Sequence, residues 1–215
     1  MKAEARNTLD GLILRYDELD VCRADIVAVF EMICHCFRNS SKVMICGNGG
    51  SAADSEHIVG ELMKGFKHSR PLGHNEREKL TGLFDDGGYI ADNLQGALPA
   101  VSLVNNVSLS SAFANDVAAD MIFAQQVYGL GNAGDVVIGI STSGNAVNVI
   151  NALKTARAFD MHTIGLTGGT GGKMLKYCET SVQVPQTETY LVQELHLPVY
   201  HTLCAMLEEE FFGKK

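Results

Sequence analysis

Two hydrophobic rhythms run along the chain. From the third residue to about Asn39, apolar residues recur at helical spacing: Leu9, Leu12, Ile13 and Tyr16, then Ile26, Val29, Phe30, Ile33 and Phe37. Residues three and four apart share one face of a helix, so two amphipathic helices are expected to lead the chain. The rhythm then changes to short apolar runs closed by small or polar residues: "KVMICGNGG", "LPAVSL", "DVVIGI", "HTIGLTG" and "TSVQVP". Runs of this length, bounded by Gly, Asn, Ser and Pro, read as buried strands. Helical patterns separate most of them, beginning with "SAADSEHIVGELMKGF", and a last one covers about 187–212. Strands alternating with helices predict an α/β fold, a doubly wound parallel sheet covered on both faces.

Residues 70–98, "RPLGHNEREKLTGLFDDGGYIADNLQGAL", interrupt this scheme. The stretch is polar and contains several glycines, and it reads as a long connection with one short helix near 89–98. A connection of this length inside a compact domain is usually functional or mobile. An active-site lid and a surface insertion with a role in oligomer contacts both remain open. The expected division is a helical extension over 1–40 followed by one domain over 41–215.

Composition narrows the classes of function. A chain of 215 residues, 46% hydrophobic and 20% charged, suits one globular domain with a substantial core. The net charge of −8 lacks the surplus of Lys and Arg that grips a phosphate backbone, so no nucleic acid is expected as a partner. No stretch reaches the roughly 18 apolar residues of a membrane span. The N-terminal residues carry acids and no uninterrupted apolar core, so neither a secretory signal nor a membrane partner is expected, and the location is read as cytoplasmic. Six cysteines lie scattered in apolar surroundings, as suits reduced thiols. The local Cys34-His35-Cys36 would point three ways on a helix and makes no metal site.

Candidate chemistry sits at two strand ends. Gly47-Asn48-Gly49-Gly50-Ser51 follows the first strand and Ser141-Thr142-Ser143-Gly144-Asn145 the third, each running straight into a helical pattern. Ligands of open parallel sheets bind beyond the carboxyl ends of the strands. Glycines let the backbone approach an anion, free N–H groups at a helix start attract it, and hydroxyls add uncharged donors. Together these loops predict a phosphoryl cradle. Neither matches a P-loop, which needs a Lys after the glycines, nor GxGxxG. "TGGTGGKM", after the fourth strand, is read as a turn that keeps the pocket open.

Two helix faces carry groups able to move protons. His57 and Glu61 are four apart, and Gln193 and His201 eight apart, each pair stacked on one face. A carboxylate and an imidazole near a sugar phosphate suit proton transfer between neighbouring carbons. The same four residues could hold a divalent metal, or could simply be surface polar groups.

Through "GNGGSAADSEHIVGEL", "ANDVAADMIFAQQV", "GDVVIGISTSGNAVNVINAL", "LTGGTGGKM" and "VQELHLPVYHTLC" together, the chain resembles the bacterial phosphoheptose isomerases of the sugar isomerase (SIS) superfamily. The resemblance implies a flavodoxin-like sheet of five parallel strands in a homotetramer, with active sites built between subunits. It implies conversion of sedoheptulose 7-phosphate to D-glycero-D-manno-heptose 7-phosphate, the entry to heptose for lipopolysaccharide and other surface glycans. On the matching positions, Glu61 would be the catalytic base and His201 its acid/base partner. Asn48, Gly49, Gly50, Ser51, Asp116, Ser141, Thr142, Ser143 and Gln193 would bind the sugar phosphate. His57, Glu61, Gln193 and His201 would hold zinc. Three departures stand out: Ala146 where the family often has Ser, Gly65 where an Arg often follows the Glu, with Lys64 and Lys67 as substitutes, and Tyr190-Leu191-Val192 where an Arg commonly precedes the Gln. The family also has non-catalytic relatives that bind the replication initiator DnaA, generally without the Glu and the final His. A ketose phosphate other than the heptose is the remaining alternative within the enzyme reading.

Overall fold

The computed structural model describes residues 1–213. Helices α1 (Ala3–Arg15) and α2 (Arg23–Arg38), joined by a short 3-10 turn, precede strand β1 (Val43–Gly47) and helix α3 (Gly50–Met63). Helices α4 (His74–Leu83) and α5 (Gly87–Asn93) lead to β2 (Ala100–Ser102) and α6 (Val107–Phe113). The rest of the chain is α7 (Ile122–Leu130), β3 (Val136–Ile140), α8 (Val147–Ala158), β4 (His162–Gly168), β5 (Thr180–Val184) and the long α9 (Thr189–Phe212). The five strands form one sheet in the order β2-β1-β3-β4-β5, every pairing parallel.

Successive strand residues point to opposite faces, and the two faces have separate cores. Val43 and Ile45 of β1 join Val136, Ile138 and Ile140 of β3 in a cluster covered by α1, α2, α3 and α9. Met44 and Cys46 join Val137 in a second cluster under α7 and α8. This is why the strands read as unbroken apolar runs: no residue of β1 or β3 can face water. Each fully buried Leu, Ile or Phe contributes roughly 1.5–3 kcal/mol. The two leading helices are part of this packing, since Leu9, Leu12, Ile26 and Phe30 sit in the first cluster.

The 70–98 segment departs from expectation. It is largely helical, with α4 over a stretch read as loop, and the short helix expected near 89–98 ends at Asn93. The reason lies in local chemistry. No residue of α4 is buried, so there is no apolar rhythm to read. The Glu76 carboxylate accepts the Gly73 N–H at 2.8 Å, closing the helix start. His74 and Glu78 pair one turn apart, and Arg77 reaches Asp92 of α5 at 2.5 Å. Leu83, Phe84, Tyr89 and Leu94 remain exposed.

Candidate active site

The sheet order reverses between β1 and β3, and at such a switch point the helices leave in opposite directions and open a crevice. There the two glycine- and hydroxyl-bearing loops face one another across a cleft of about 360 Å³. Asn48, Gly49, Gly50 and Ser51 line one wall, Ser141, Thr142 and Ser143 the other, and Gln193 of α9 reaches the same cleft. The sequence-predicted sugar-phosphate residues therefore converge in space, Asp116 excepted. Asp116 lies exposed in a π-helical turn after α6, where it accepts from Asn115 at 2.8 Å and does not line this cleft.

Local geometry explains the loop composition. A side chain on Gly50 would collide with the Gln193 amide, 2.5 Å from its Cβ position. The Thr142 and Ser143 N–H groups donate to no backbone carbonyl among the described residues, which leaves donors free for an anion. Gly144 has φ +64°, and a Cβ there would lie 1.9 Å from the Gly171 carbonyl oxygen. The loop after β4, read from sequence as a turn that keeps the pocket open, is therefore pressed against the hydroxyl loop and braces it. Met174 N–H donates to Gly144 O at 2.9 Å and Lys173 N–H to Asn145 Oδ1 at 3.1 Å. Across the cleft, Asn48 and Asn148 exchange two amide hydrogen bonds of 2.9 Å. Asn148 was not visible as a site residue, because its partner is 100 residues away.

Helix α3 starts at this cleft and carries the acid/base pair further along. His57 Nε2 lies 3.2 Å from Glu61 Oε1, and His201 Nε2 of α9 lies 3.4 Å from His57 Nε2. The Glu61 side chain is 12% exposed; its Oε2 has no hydrogen-bond partner, and Lys64 Nζ stands 3.8 Å away. Burial, followed by the neighbouring His57, holds the His201 ring below the usual imidazole range, while the Glu61 charge pulls the other way. Of the four anticipated zinc ligands, three gather here and Gln193 sits at the cleft two turns back on α9. Among the described residues, no group of three or more His, Cys, Asp or Glu side chains is placed so that it could hold a metal ion.

The chain after α3 is fixed from below. Arg70 and Glu208 are fully buried and joined at 2.8 Å, and Glu208 also accepts the N–H groups of Phe66, Lys67 and His68. The other arms of Arg70 donate to the carbonyls of Leu62 and Glu61, closing the last turn of α3. Gly65 stands where the resemblance anticipates an Arg, and it is tightly packed: a Cβ would lie 2.5 Å from the His68 carbonyl oxygen. Of the two suggested substitutes, Lys64 is beside Glu61, whereas Lys67 turns to Glu209 at 3.5 Å. Ala146 lines the cleft, so the missing hydroxyl is missing from the cradle itself.

Known proteins resemble this chain in sequence and fold. A family model described as the SIS domain matches residues 81–168. Phosphoheptose isomerase 1 of Campylobacter jejuni is 38% identical over 192 residues, covering 89% of this chain and 90% of the relative. A phosphoheptose isomerase of Synechocystis is 35% identical over 207 residues, 96% of this chain and 93% of the relative. The solved structure of a phosphoheptose isomerase from Neisseria gonorrhoeae superposes with a TM-score of 0.71 at 33% identity, covering 95% of this chain and 94% of that one. The chain belongs to the phosphoheptose isomerase family of SIS-domain proteins.

Proposed function

We propose that the protein is an aldose–ketose isomerase converting sedoheptulose 7-phosphate to D-glycero-D-manno-heptose 7-phosphate. One observation carries the reading: a single helix, α3, begins at the cleft between the hydroxyl loops and holds, three turns on, a half-free carboxylate beside two imidazoles. The hydroxyl loops and free N–H groups grip the phosphate, whose binding energy orients the distant reacting carbons. Glu61 removes a proton from C1 of the open-chain ketose, giving an enediol, and returns it to C2. His201, whose ring burial holds below the usual imidazole range, moves protons between the two oxygens. Lys64, 3.8 Å from Glu61 Oε2, lends positive charge beside the base.

Zinc belongs to the same proposal. Two imidazole nitrogens and a carboxylate oxygen are ordinary zinc donors. His57, Glu61 and His201 would hold it; Gln193, anticipated as the fourth donor, lines the hydroxyl-loop cleft instead. Such an ion supplies Lewis-acid polarisation of the substrate oxygens. A homotetramer is likewise proposed, supported by exposed apolar side chains at Val107, Val117, Tyr128 and Phe159; light scattering tests it.

The test is proton NMR of the protein with sedoheptulose 7-phosphate in D2O, beside Glu61→Gln and His201→Ala. Aldoheptose phosphate carrying deuterium at C2, absent with both variants, is the expected result. No turnover by the unaltered protein, with or without added zinc, would overturn the assignment.

A further inference from the structure

The two amides that meet across the cleft have a fixed direction. Asn48 Nδ2 donates to Asn148 Oδ1, and Asn148 Nδ2 donates to Asn48 Oδ1, both at 2.9 Å. Exchanging oxygen and nitrogen in both side chains would keep both bonds, so the pair alone leaves its direction open. A third contact closes it. The backbone N–H of Val149, in the first turn of α8, lies 3.0 Å from Asn148 Oδ1. A backbone N–H can only donate, so the atom it meets is the oxygen, and the Asn48 atom opposite that oxygen is the nitrogen. Resting on the reading of this cleft as a sugar-phosphate site, we infer that Asn148 is a positioning residue, which holds the Asn48 amide with one hydrogen free for an oxygen of the bound anion.

Donor counting leads there. A primary amide nitrogen carries two hydrogens and its oxygen two lone pairs. One hydrogen of Asn48 goes to Asn148, and the other has no acceptor among the described residues. Asn48 lines the cleft and Asn148 does not, so the free hydrogen belongs to the member that an anion can reach. The Asn48 oxygen, which would repel an anion, is held by the Asn148 N–H instead. On the facing wall the N–H groups of Thr142 and Ser143 are also without a backbone acceptor, which gives the cleft donors from both sides.

The start of α8 explains why an Asn stands there. Val149 N–H is one of the first four donors that a helix leaves without an internal partner, and it meets no backbone carbonyl among the described residues. The N-cap is Ala146, whose side chain offers no acceptor. Asn148, the second residue of the helix, supplies the oxygen, and with Val149 on one lone pair and Asn48 on the other that oxygen is full. Asn48 by itself is exposed. Without Asn148 its amide would turn freely and present oxygen to the anion as readily as nitrogen.

Calorimetry with inorganic phosphate on the full chain tests this through Asn48→Ala, Asn148→Ala and the double variant, with circular dichroism to show that each is folded. Each single change should weaken phosphate binding about 3- to 10-fold, the worth of one hydrogen bond. The double variant should bind no more weakly than Asn48→Ala, because Asn148 acts only through Asn48. Asn148→Asp separates capping from positioning. It still accepts from Val149 but has no N–H for the Asn48 oxygen, so it should withstand urea as the unaltered protein does and yet bind phosphate at least as weakly as Asn148→Ala. With sedoheptulose 7-phosphate, Asn148→Ala should raise KM by a similar factor and change kcat little, since the phosphate is held alike before and during reaction. No phosphate binding by the unaltered protein, no loss in either single variant, or a double variant weakened by the product of the two single effects overturns the inference. Phosphate binding that follows this cycle without turnover of the sugar phosphate would overturn the proposed function and leave the positioning role standing.

Discussion

Replacing Arg70 by Met removes the cation from a carboxylate that has no access to water. Both side chains of the Arg70–Glu208 pair are fully buried, and Glu208 takes bonds of 2.8, 2.7 and 3.2 Å from the N–H groups of Phe66, Lys67 and His68 besides the 2.8 Å bond from Arg70. Breaking a buried pair by removing one partner costs about 3–5 kcal/mol, because the other charge is stranded. The three N–H bonds that survive favour the lower part of that range. Loss of the caps on Leu62 and Glu61 and of the guanidinium stacked 4.6 Å over Phe212 adds to it. Against a total of 5–15 kcal/mol for a typical domain, that is a large fraction. Urea unfolding followed by circular dichroism, at one fixed protein concentration, should show the drop, and a cycle with Glu208→Gln should show coupling above about 1 kcal/mol. Acid adds an independent arm. Burial alone would raise the Glu208 carboxyl, but the N–H groups of Phe66 and Lys67 and the guanidinium hold it below the usual range. Its stabilising contribution is therefore present above the unfolded carboxylate value and lost as pH falls through the folded one. A loss under about 1 kcal/mol in Arg70→Met, with an unchanged acid limb in Glu208→Gln, would refute the argument.

Three further outcomes are expected. Ala146 is the N-cap of α8 and lines the cleft, so Ala146→Ser should raise stability by about 0.5–2 kcal/mol and lower the KM for the sugar phosphate; steady-state kinetics and urea unfolding check both. Gly144→Ala puts a Cβ on the Gly171 carbonyl at positive φ and should weaken inorganic phosphate binding at least tenfold by calorimetry, with the global fold kept by circular dichroism. Burial lowers the ring of His196, whose two nitrogens have no hydrogen-bond partner, to about 4. The unfolded chain then binds the proton more readily, so stability should fall by on the order of 3 kcal/mol as pH drops from about 6.5 towards 4; in His196→Gln that slope should flatten, and an unchanged slope counts against it.

What the sequence disclosed was what neighbours in the chain decide. The buried strands show because both faces of β1 and β3 are covered, which makes Val43-Met44-Ile45-Cys46 a plain apolar run. His57 and Glu61 can be paired by eye because a helix brings every fourth residue together. The exposed helix α4 could not, since capping and ion pairs rather than an apolar face hold it. Asn148 and the Arg70–Glu208 pair escaped for another reason: each acts on a partner 100 or more residues distant, through contacts only the folded sheet creates. Asp116, named through the resemblance, is on the outer surface of its own chain.

Helix α3 also acts as a measuring rod. Its first turn touches the cleft at Ser51 and its last turn holds Glu61, and ten residues at about 1.5 Å each fix that span whatever sugar arrives. Every carbon taken from a ketose phosphate shortens the reach between phosphate and carbonyl, while the helix keeps its length. On the proposed activity, the choice of chain length is thus written into the spacing of one rigid element, and a shorter sugar anchored at the same loops would leave its carbonyl short of the base.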